Sequence, residues 1–152
     1  MLAVFNGGGR IVWAAASDFI GRMPAFALML GLQGVCLLIL PHASNKALFF
    51  VLAAVVYLCY GGGFGTMPAT AADYFGTPNA GAIYGGMIIA WSIGGVVGPL
   101  VTAALYESSG KHYTLPFTVI AVVALVALVL PIVTKMPSAP ARTAPEVTAP
   151  GA

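Results

Sequence analysis

Five long apolar stretches, separated by short polar connections, constrain this chain more than any other feature. They cover roughly residues 1–16, 25–41, 47–72, 80–105 and 114–134. A helix needs about 20 mostly apolar residues to cross the roughly 30 Å hydrocarbon core of a bilayer. Nearly all of the charge falls in the connections between the stretches. The pattern therefore predicts an all-α membrane protein with about five transmembrane helices, and the lipid bilayer as its surroundings.

The composition agrees with this class and excludes several others. Sixty per cent of the 152 residues are apolar and 7% are charged, whereas an average soluble domain is about 25% charged. The net charge of +2 gives no basis for nucleic-acid binding, which needs clustered basic residues. The sequence has no Cys or His at metal-ligand spacing, no phosphate-binding Gly-Lys-Ser/Thr loop and no paired nucleophile and base. No metal, cofactor or enzymatic activity is therefore predicted.

Two regions of different composition are expected. Residues 1–134 are predicted to form the transmembrane bundle, and residues 135–152 a disordered, Pro/Ala-rich cytoplasmic tail, because low hydrophobicity and frequent proline prevent packing. Basic residues in the connections favour a cytoplasmic first connection. We therefore expect a multi-pass protein of the plasma (inner) membrane with a cytoplasmic C-terminus. The cytoplasmic side then carries Arg22, Lys135 and Arg142, and the opposite side Lys46 and Lys111.

Glycine is frequent, with 19 residues, and several glycines recur four residues apart. Small residues let helix backbones approach closely in lipid, where little hydrophobic force acts between helices. The densest glycine and proline positions have two interpretations: ordinary helix packing, or a helix that bends or unwinds along a substrate path. These positions are Gly61, Gly65, Pro68, Gly94, Gly98 and Pro99.

Arg10 lies inside the first apolar stretch. A charge well inside a span costs several kcal/mol and usually faces the bundle interior or water. The guanidinium group is a planar, permanently charged fork that suits carboxylates, so one interpretation is contact with an anionic substrate. The alternatives are a structural ion pair with Asp18 or Asp73, or snorkelling of the side chain to the interface.

A charged hinge is predicted after the first stretch. Asp18 and Arg22 are four residues apart, close enough to pair across one helical turn, and Gly21 permits a tight turn between them. Asp73 occupies a similar place, where the third stretch runs into the next connection. For Asp73 a local cap or a pair with a neighbouring arginine is the ordinary interpretation, and proton coupling the functional one.

The first connection resembles the signature loop of the major facilitator superfamily. That loop has a small residue, an aspartate, and then Gly-Arg followed by a further basic residue. Asp18, Gly21 and Arg22 match it. Three positions depart from residues that are usual there: Ala14, Phe19 and Met23.

Two longer stretches are similar to members of the oxalate/formate antiporter family. Residues 6–22 resemble the eighth helix and the following loop, and residues 68–99 resemble the tenth and eleventh helices with the cytoplasmic loop, containing Asp73, between them. The resemblance covers roughly residues 5–134. It implies helices 8–12 of a twelve-helix fold, alternating access between two six-helix halves, and small carboxylates as substrates.

The resemblance also nominates substrate-binding residues. In oxalate-transporting members, an arginine in the eighth helix and a lysine in the eleventh are associated with the substrate. Arg10 matches the arginine, and Trp91 stands about where the lysine would be. One cation instead of two favours a monocarboxylate. Trp91 and Tyr60 become candidates for the substrate wall, with aromatic packing as their alternative role.

The leading functional hypothesis is a secondary carrier of small organic anions, present as a C-terminal fragment. Five spans are fewer than twelve, and the first helix begins abruptly at Met1. We therefore expect an N-terminal half from the same gene or from a separate chain. The alternative is a non-transporting membrane subunit or an inactive truncated fragment.

Overall fold

The structure is a computed structural model that describes residues 2–135. These residues form helices and contain no strand. The helices are α1 (Leu2–Ile20), α2 (Arg22–Ile39), α3 (Lys46–Phe75), α4 (Thr77–Ser108), α5 (Thr114–Ala127) and α6 (Val129–Val133). The predicted all-α class is confirmed. The predicted disordered tail lies, beyond residue 135, outside the described residues.

Four segments are long and apolar enough to cross a bilayer: Arg22–His42, Lys46–Phe75, Thr77–Ser108 and Thr114–Val133. They correspond to the last four of the five predicted spans. The first predicted span forms α1, a helix of 19 residues that includes Asn6, Arg10 and Asp18. Helix α1 is not among these four segments. Polar side chains of this kind inside a membrane usually face neighbouring helices or water, so we expect α1 to need helices packed around it.

Single glycines join α1 to α2 and α3 to α4. Gly21 has φ 94° and ψ 154°, and Gly76 has φ 80° and ψ 151°, a region that essentially only glycine adopts. The Gly21 N–H donates to the Ser17 carbonyl at 3.0 Å, and the Gly76 N–H donates to the Ala72 carbonyl at 3.0 Å. The two connections predicted as short loops are therefore one-residue joints, which we call the glycine joints.

Prolines shape the ends of two other segments. Residues Leu40–His42 continue α2 as a 3₁₀ turn that contains Pro41. In the last span, Pro131 has no N–H to donate to the carbonyl of Ala127. The helix predicted as one piece over residues 114–134 is accordingly divided at Leu128 into α5 and α6.

The C-terminus of α4 is closed by a left-handed turn. The Lys111 N–H donates to the Tyr106 carbonyl at 3.0 Å, and the Gly110 N–H donates to the Glu107 carbonyl at 3.3 Å. This pair of bonds is the Schellman arrangement, which normally places glycine in the left-handed conformation. Gly110 has φ 70° and Lys111 has φ 68°, so a residue with a Cβ also adopts the left-handed region here.

Helices α1 and α3 touch backbone to backbone. A Cβ added to Gly61 would overlap the Asn6 carbonyl oxygen, and one added to Gly65 would overlap the Arg10 carbonyl oxygen. The two contacts are four residues apart on both helices, so the close approach repeats once per turn. Between them and α2 lies a small buried core made of Trp13, Ala25, Met29 and Cys59.

Helix α4 differs from the other long helices because none of its 32 residues is buried. Within residues 2–135, nothing lies within 4 Å of the Cβ positions of Gly94 and Gly98. The structure thus places Gly61 and Gly65 in a helix contact and leaves Gly94 and Gly98 uncovered. Pro68 and Pro99 lie inside α3 and α4, and each helix continues through its proline.

Candidate functional site

Three aromatic side chains from α3 and α4 form one connected group, which we call the aromatic wall: Tyr60, Phe64 and Trp91. Phe64 contacts Tyr60 edge to face with ring centroids 5.6 Å apart, and it contacts Trp91 in the same way at 5.0 Å. The indole Nε1 of Trp91 donates a hydrogen bond to the Tyr60 hydroxyl oxygen at 3.1 Å. Tyr60 and Phe64 are four residues apart and share one face of α3, so the wall links α3 to α4.

Arg10 lies against the same wall. Its guanidinium carbon is 5.4 Å from the centroid of the Phe64 ring, within the range of a cation–π contact. The structure thereby brings together Arg10, Tyr60 and Trp91, which the sequence nominated separately. Phe64 connects all three, and no role was predicted for it. The sequence did show that Phe64 is four residues from Tyr60 and so on the same face of α3. This spacing alone does not show that the shared face contacts both α1 and α4.

The alternative ion pair for Arg10 is not formed. The carboxylates of Asp18 and Asp73 both bind Arg22 instead. In the part of the chain that the structure describes, no carboxylate lies within ion-pair distance of Arg10. The cation is therefore held by the quadrupole of an aromatic ring, and this contact leaves most of its N–H donors available.

The wall borders open space. Tyr60 and Trp91 are each 43% exposed, and a groove of about 340 Å³ is lined by Val56, Tyr57 and Tyr60. The lining of this groove is mainly apolar. A polar group of a ligand therefore has few hydrogen-bonding partners there apart from the polar groups at the edge. The arrangement offers a cation next to a tyrosine hydroxyl in partly exposed aromatic surroundings, and the cation suits a small anion.

A second cluster, the charged corner, lies at the glycine joints and consists of Ser17, Asp18, Arg22 and Asp73. The Nη1 of Arg22 lies 2.6 Å from an Asp18 oxygen, and its Nε lies 2.8 Å from an Asp73 oxygen. The predicted pair of Asp18 with Arg22 and the interpretation of Asp73 as an arginine partner both agree with these contacts. Asp73 itself belongs to the last turn of α3 rather than to a loop.

Ser17 was not singled out from the sequence. Its side chain is 1% exposed, and its hydroxyl donates to the Ala14 carbonyl at 2.7 Å while accepting a hydrogen bond from the Arg22 guanidinium. A serine beside an aspartate carries no distinctive spacing signal. The Ser17 hydroxyl accepts a hydrogen bond from the Arg22 guanidinium. This bond helps to fix the guanidinium in the position in which it contacts both carboxylates.

Buried threonines flank Pro68 in α3. The Thr66 hydroxyl donates to the Gly62 carbonyl and the Thr70 hydroxyl to the Thr66 carbonyl, each at 2.9 Å. Such back-bonding satisfies the hydroxyls within their own helix and often accompanies a bend. No group of three or more His, Cys, Asp or Glu side chains that could hold a metal occurs within residues 2–135.

Long apolar helices, a cation held against an aromatic wall and a charged corner at one end define a multi-pass integral membrane protein. The profile of the Major Facilitator Superfamily matches residues 1–150. The chain belongs to this family, as the resemblance of its signature loop predicted. Membership points to a transporter rather than an enzyme.

Three characterised relatives are similar to the chain. The oxalate:formate antiporter of Oxalobacter formigenes is 29% identical over 84% of the chain and 30% of its own length. Apicoplast pyruvate carrier 2 of Toxoplasma gondii is 31% identical over 50% of the chain and 12% of its own length. Riboflavin transporter RibJ of Trypanosoma cruzi is 29% identical over 59% of the chain and 19% of its own length.

The chain thus spans less than a third of the length of each of these relatives. No solved structure gives a significant match.

Proposed function

We propose that this chain forms part of a secondary carrier for small organic anions, with Arg10 as the contact for the anionic group. The observation that carries the proposal is the position of Arg10, a cation near the middle of α1 that rests on the Phe64 ring. A cation placed there at a cost of several kcal/mol is usually retained for a function. An anion that takes its free N–H donors offsets that cost.

The aromatic wall supplies the remaining contacts in this proposal. Tyr60 and Trp91 lie beside Phe64 and reach open space. Aromatic side chains beside Arg10 exclude water from the site, and the lower local dielectric strengthens the attraction of a carboxylate to the guanidinium. Tyr60 adds a hydroxyl group that hydrogen-bonds to a substrate oxygen.

The substrate class follows from the number of cations. Helix α4 contains no lysine or arginine over Thr77–Ser108, so within residues 2–135 helix α4 adds no second cation to Arg10 at the wall. A single cation balances one carboxylate, and the proposed substrates are monocarboxylates such as formate or pyruvate. The names of two relatives, an oxalate:formate antiporter and a pyruvate carrier, support a carboxylate.

We further propose that additional helices, from the same gene or from another chain, complete the carrier. Two observations support this: the chain spans at most 30% of its relatives, and α4 buries none of its residues. Alternating access in this family type occurs between two halves around a central site. In this proposal the carrier lies in the plasma membrane, and the C-terminus is cytoplasmic.

The test is uptake of radiolabelled solutes by cells that express the chain from its own locus, so that any further segments of the gene are present. We expect uptake of formate or pyruvate above that of cells without the gene, and weaker uptake of oxalate. Arg10→Lys keeps the charge but loses the fork and should reduce uptake about tenfold or more, because bidentate geometry is lost. Lys111→Gln is the matched control, because Lys111 lies in the connection after α4. Cells that express this variant should take up carboxylates at the wild-type rate.

Carboxylate uptake at the wild-type rate in Arg10→Lys and Arg10→Gln would reject the assigned contact. Absence of uptake for every solute tested, with the protein present in the membrane, would favour the alternative of a non-transporting subunit. Riboflavin serves as a comparison solute, because one relative is a riboflavin transporter. Preference for it over carboxylates would overturn the substrate class.

A further inference from the structure

The hydrogen bond between Trp91 and Tyr60 has a direction that its chemistry fixes. An indole N–H can only donate, so the hydroxyl oxygen of Tyr60 must be the acceptor. The two atoms are 3.1 Å apart, a normal length for such a bond. The hydroxyl proton of Tyr60 is therefore not used in this contact.

Within residues 2–135, the Tyr60 hydroxyl donates to no protein acceptor. Tyr60 is 43% exposed and borders the apolar groove described above. A hydroxyl that accepts one hydrogen bond from a fixed partner orients its own proton away from that partner. The proton thus remains available for donation to a ligand on the exposed side of Tyr60.

We propose that Trp91 is a positioning residue that holds the Tyr60 hydroxyl as a hydrogen-bond donor to the substrate's carboxylate. The inference rests on the proposed function and adds the step by which α4 contributes to specificity. The N–H groups of Arg10 and the O–H of Tyr60 are then donors for the substrate, and an ionised carboxylate, which only accepts hydrogen bonds, can bind to both.

A double-mutant cycle tests the role of Trp91. Trp91→Phe keeps the edge-to-face contact with Phe64 but removes the N–H, and Tyr60→Phe removes the hydroxyl. We expect each single variant to weaken formate binding about tenfold, the value of one hydrogen bond to a charged group. In the Tyr60→Phe background, Trp91→Phe should change the dissociation constant less than twofold. Binding is measured by calorimetry in lipid nanodiscs on the protein purified after expression from its own locus, so that any further segments of the gene are present.

Two controls keep the result interpretable. Trp13→Phe removes the other tryptophan of residues 1–152, which lies in the buried core with Met29 and Cys59, and formate binding should not change. Thermal unfolding of every variant shows whether the fold is kept. If Trp91→Phe weakens binding equally with and without the Tyr60 hydroxyl, the residue acts by packing and the inference is overturned.

A second readout does not depend on a variant at Trp91. With ¹⁵N-labelled tryptophan, the indole N–H resonance of Trp91 is assigned as the one that is lost in Trp91→Phe. Formate should move it downfield, because a hydroxyl that donates more strongly also accepts more strongly. In Tyr60→Phe the same resonance should lie upfield, because the hydrogen bond is lost, and addition of formate should not change its chemical shift.

The two proposals fail differently in these experiments. If the wild-type chain binds neither formate nor pyruvate while the Trp91 resonance still responds to Tyr60→Phe, the proposed function fails. If formate binds but leaves that resonance unmoved, only the role of Trp91 fails.

Discussion

The Nε of Arg22 donates to the Asp73 carboxylate at 2.8 Å, across 51 positions of sequence. Arg22 is the first residue after one glycine joint, and Asp73 lies three residues before the other. The ion pair therefore fastens the α1–α2 hairpin to the α3–α4 hairpin at one end of the bundle. Asp18 and Ser17 bind the same guanidinium from within the first hairpin.

Removing the long-range partner should loosen this connection. We expect Asp73→Asn to lower the free energy of unfolding in detergent by about 0.5–1 kcal/mol, a modest value because the Asp73 side chain is 37% exposed to solvent. The loss should vanish in an Arg22→Gln background. Asp18→Asn is the comparison variant, and because Asp18 is 60% exposed it should cost only about 0.2–0.5 kcal/mol. If Asp73→Asn lowers the free energy of unfolding by the same amount in the Arg22→Gln background as in the wild type, the two residues are not energetically coupled.

The backbone contact between α1 and α3 should not tolerate a methyl group. Gly65→Ala places a Cβ against the Arg10 carbonyl, and overpacking of this kind costs about 1–3 kcal/mol. Gly63→Ala is a matched control two residues away on the same helix, because nothing lies within 4 Å of its Cβ position in residues 2–135. That variant should be neutral or more stable by up to about 1 kcal/mol through helix propensity. Unfolding in graded denaturing detergent measures both, and equal stabilities would refute the close approach.

The second glycine joint should be sensitive to any side chain. At φ 80° and ψ 151°, Gly76→Ala is expected to lose about 1–3 kcal/mol through backbone strain. Gly86→Ala in α4 has helical geometry and open space around its Cβ position, so it should unfold at or above the wild-type temperature. Differential scanning fluorimetry of the purified variants distinguishes these outcomes, and a tolerated Gly76→Ala would mean that the joint has another conformation.

The turn after α4 should become more stable when its strain is removed. Lys111 has φ 68°, and a residue with a Cβ in the left-handed region costs about 1–2 kcal/mol. Lys111→Gly should recover about 0.5–1 kcal/mol of this, after the greater entropy of unfolded glycine is subtracted. Lys111→Ala removes the ammonium group but keeps the Cβ, so it should bring no gain. A melting temperature raised equally by both changes would assign the effect to charge instead.

Local and compositional features of this chain were predictable from its sequence. Apolar length alone located the helices, because crossing hydrocarbon imposes a fixed number of residues. The pair of Asp18 with Arg22 was predicted from helical spacing, and it forms although Gly21 interrupts the helix between the two residues. The division of the last span at Leu128 was missed, although Pro131 already indicated a lost backbone hydrogen bond.

The candidate site was predictable only in part. Arg10, Tyr60 and Trp91 were nominated one by one, whereas their meeting at Phe64 depends on how three helices rotate about their axes. Rotation is set by packing, here by the contacts of Gly61 and Gly65 with α1, and these involve residues far apart in sequence. The link from Arg22 to Asp73 was missed as a specific pair for the same reason.

The two ends of the bundle differ in how well their connections tolerate inserted residues. On the side of the glycine joints each turn is a single residue, and an inserted segment there would separate helices that the ion pair holds together. On the other side the connections run over residues 43–45 and 109–113, where exposed, longer links tolerate additions better. An epitope or fluorophore placed in these two links should report on the protein in living cells without disturbing the opposite end.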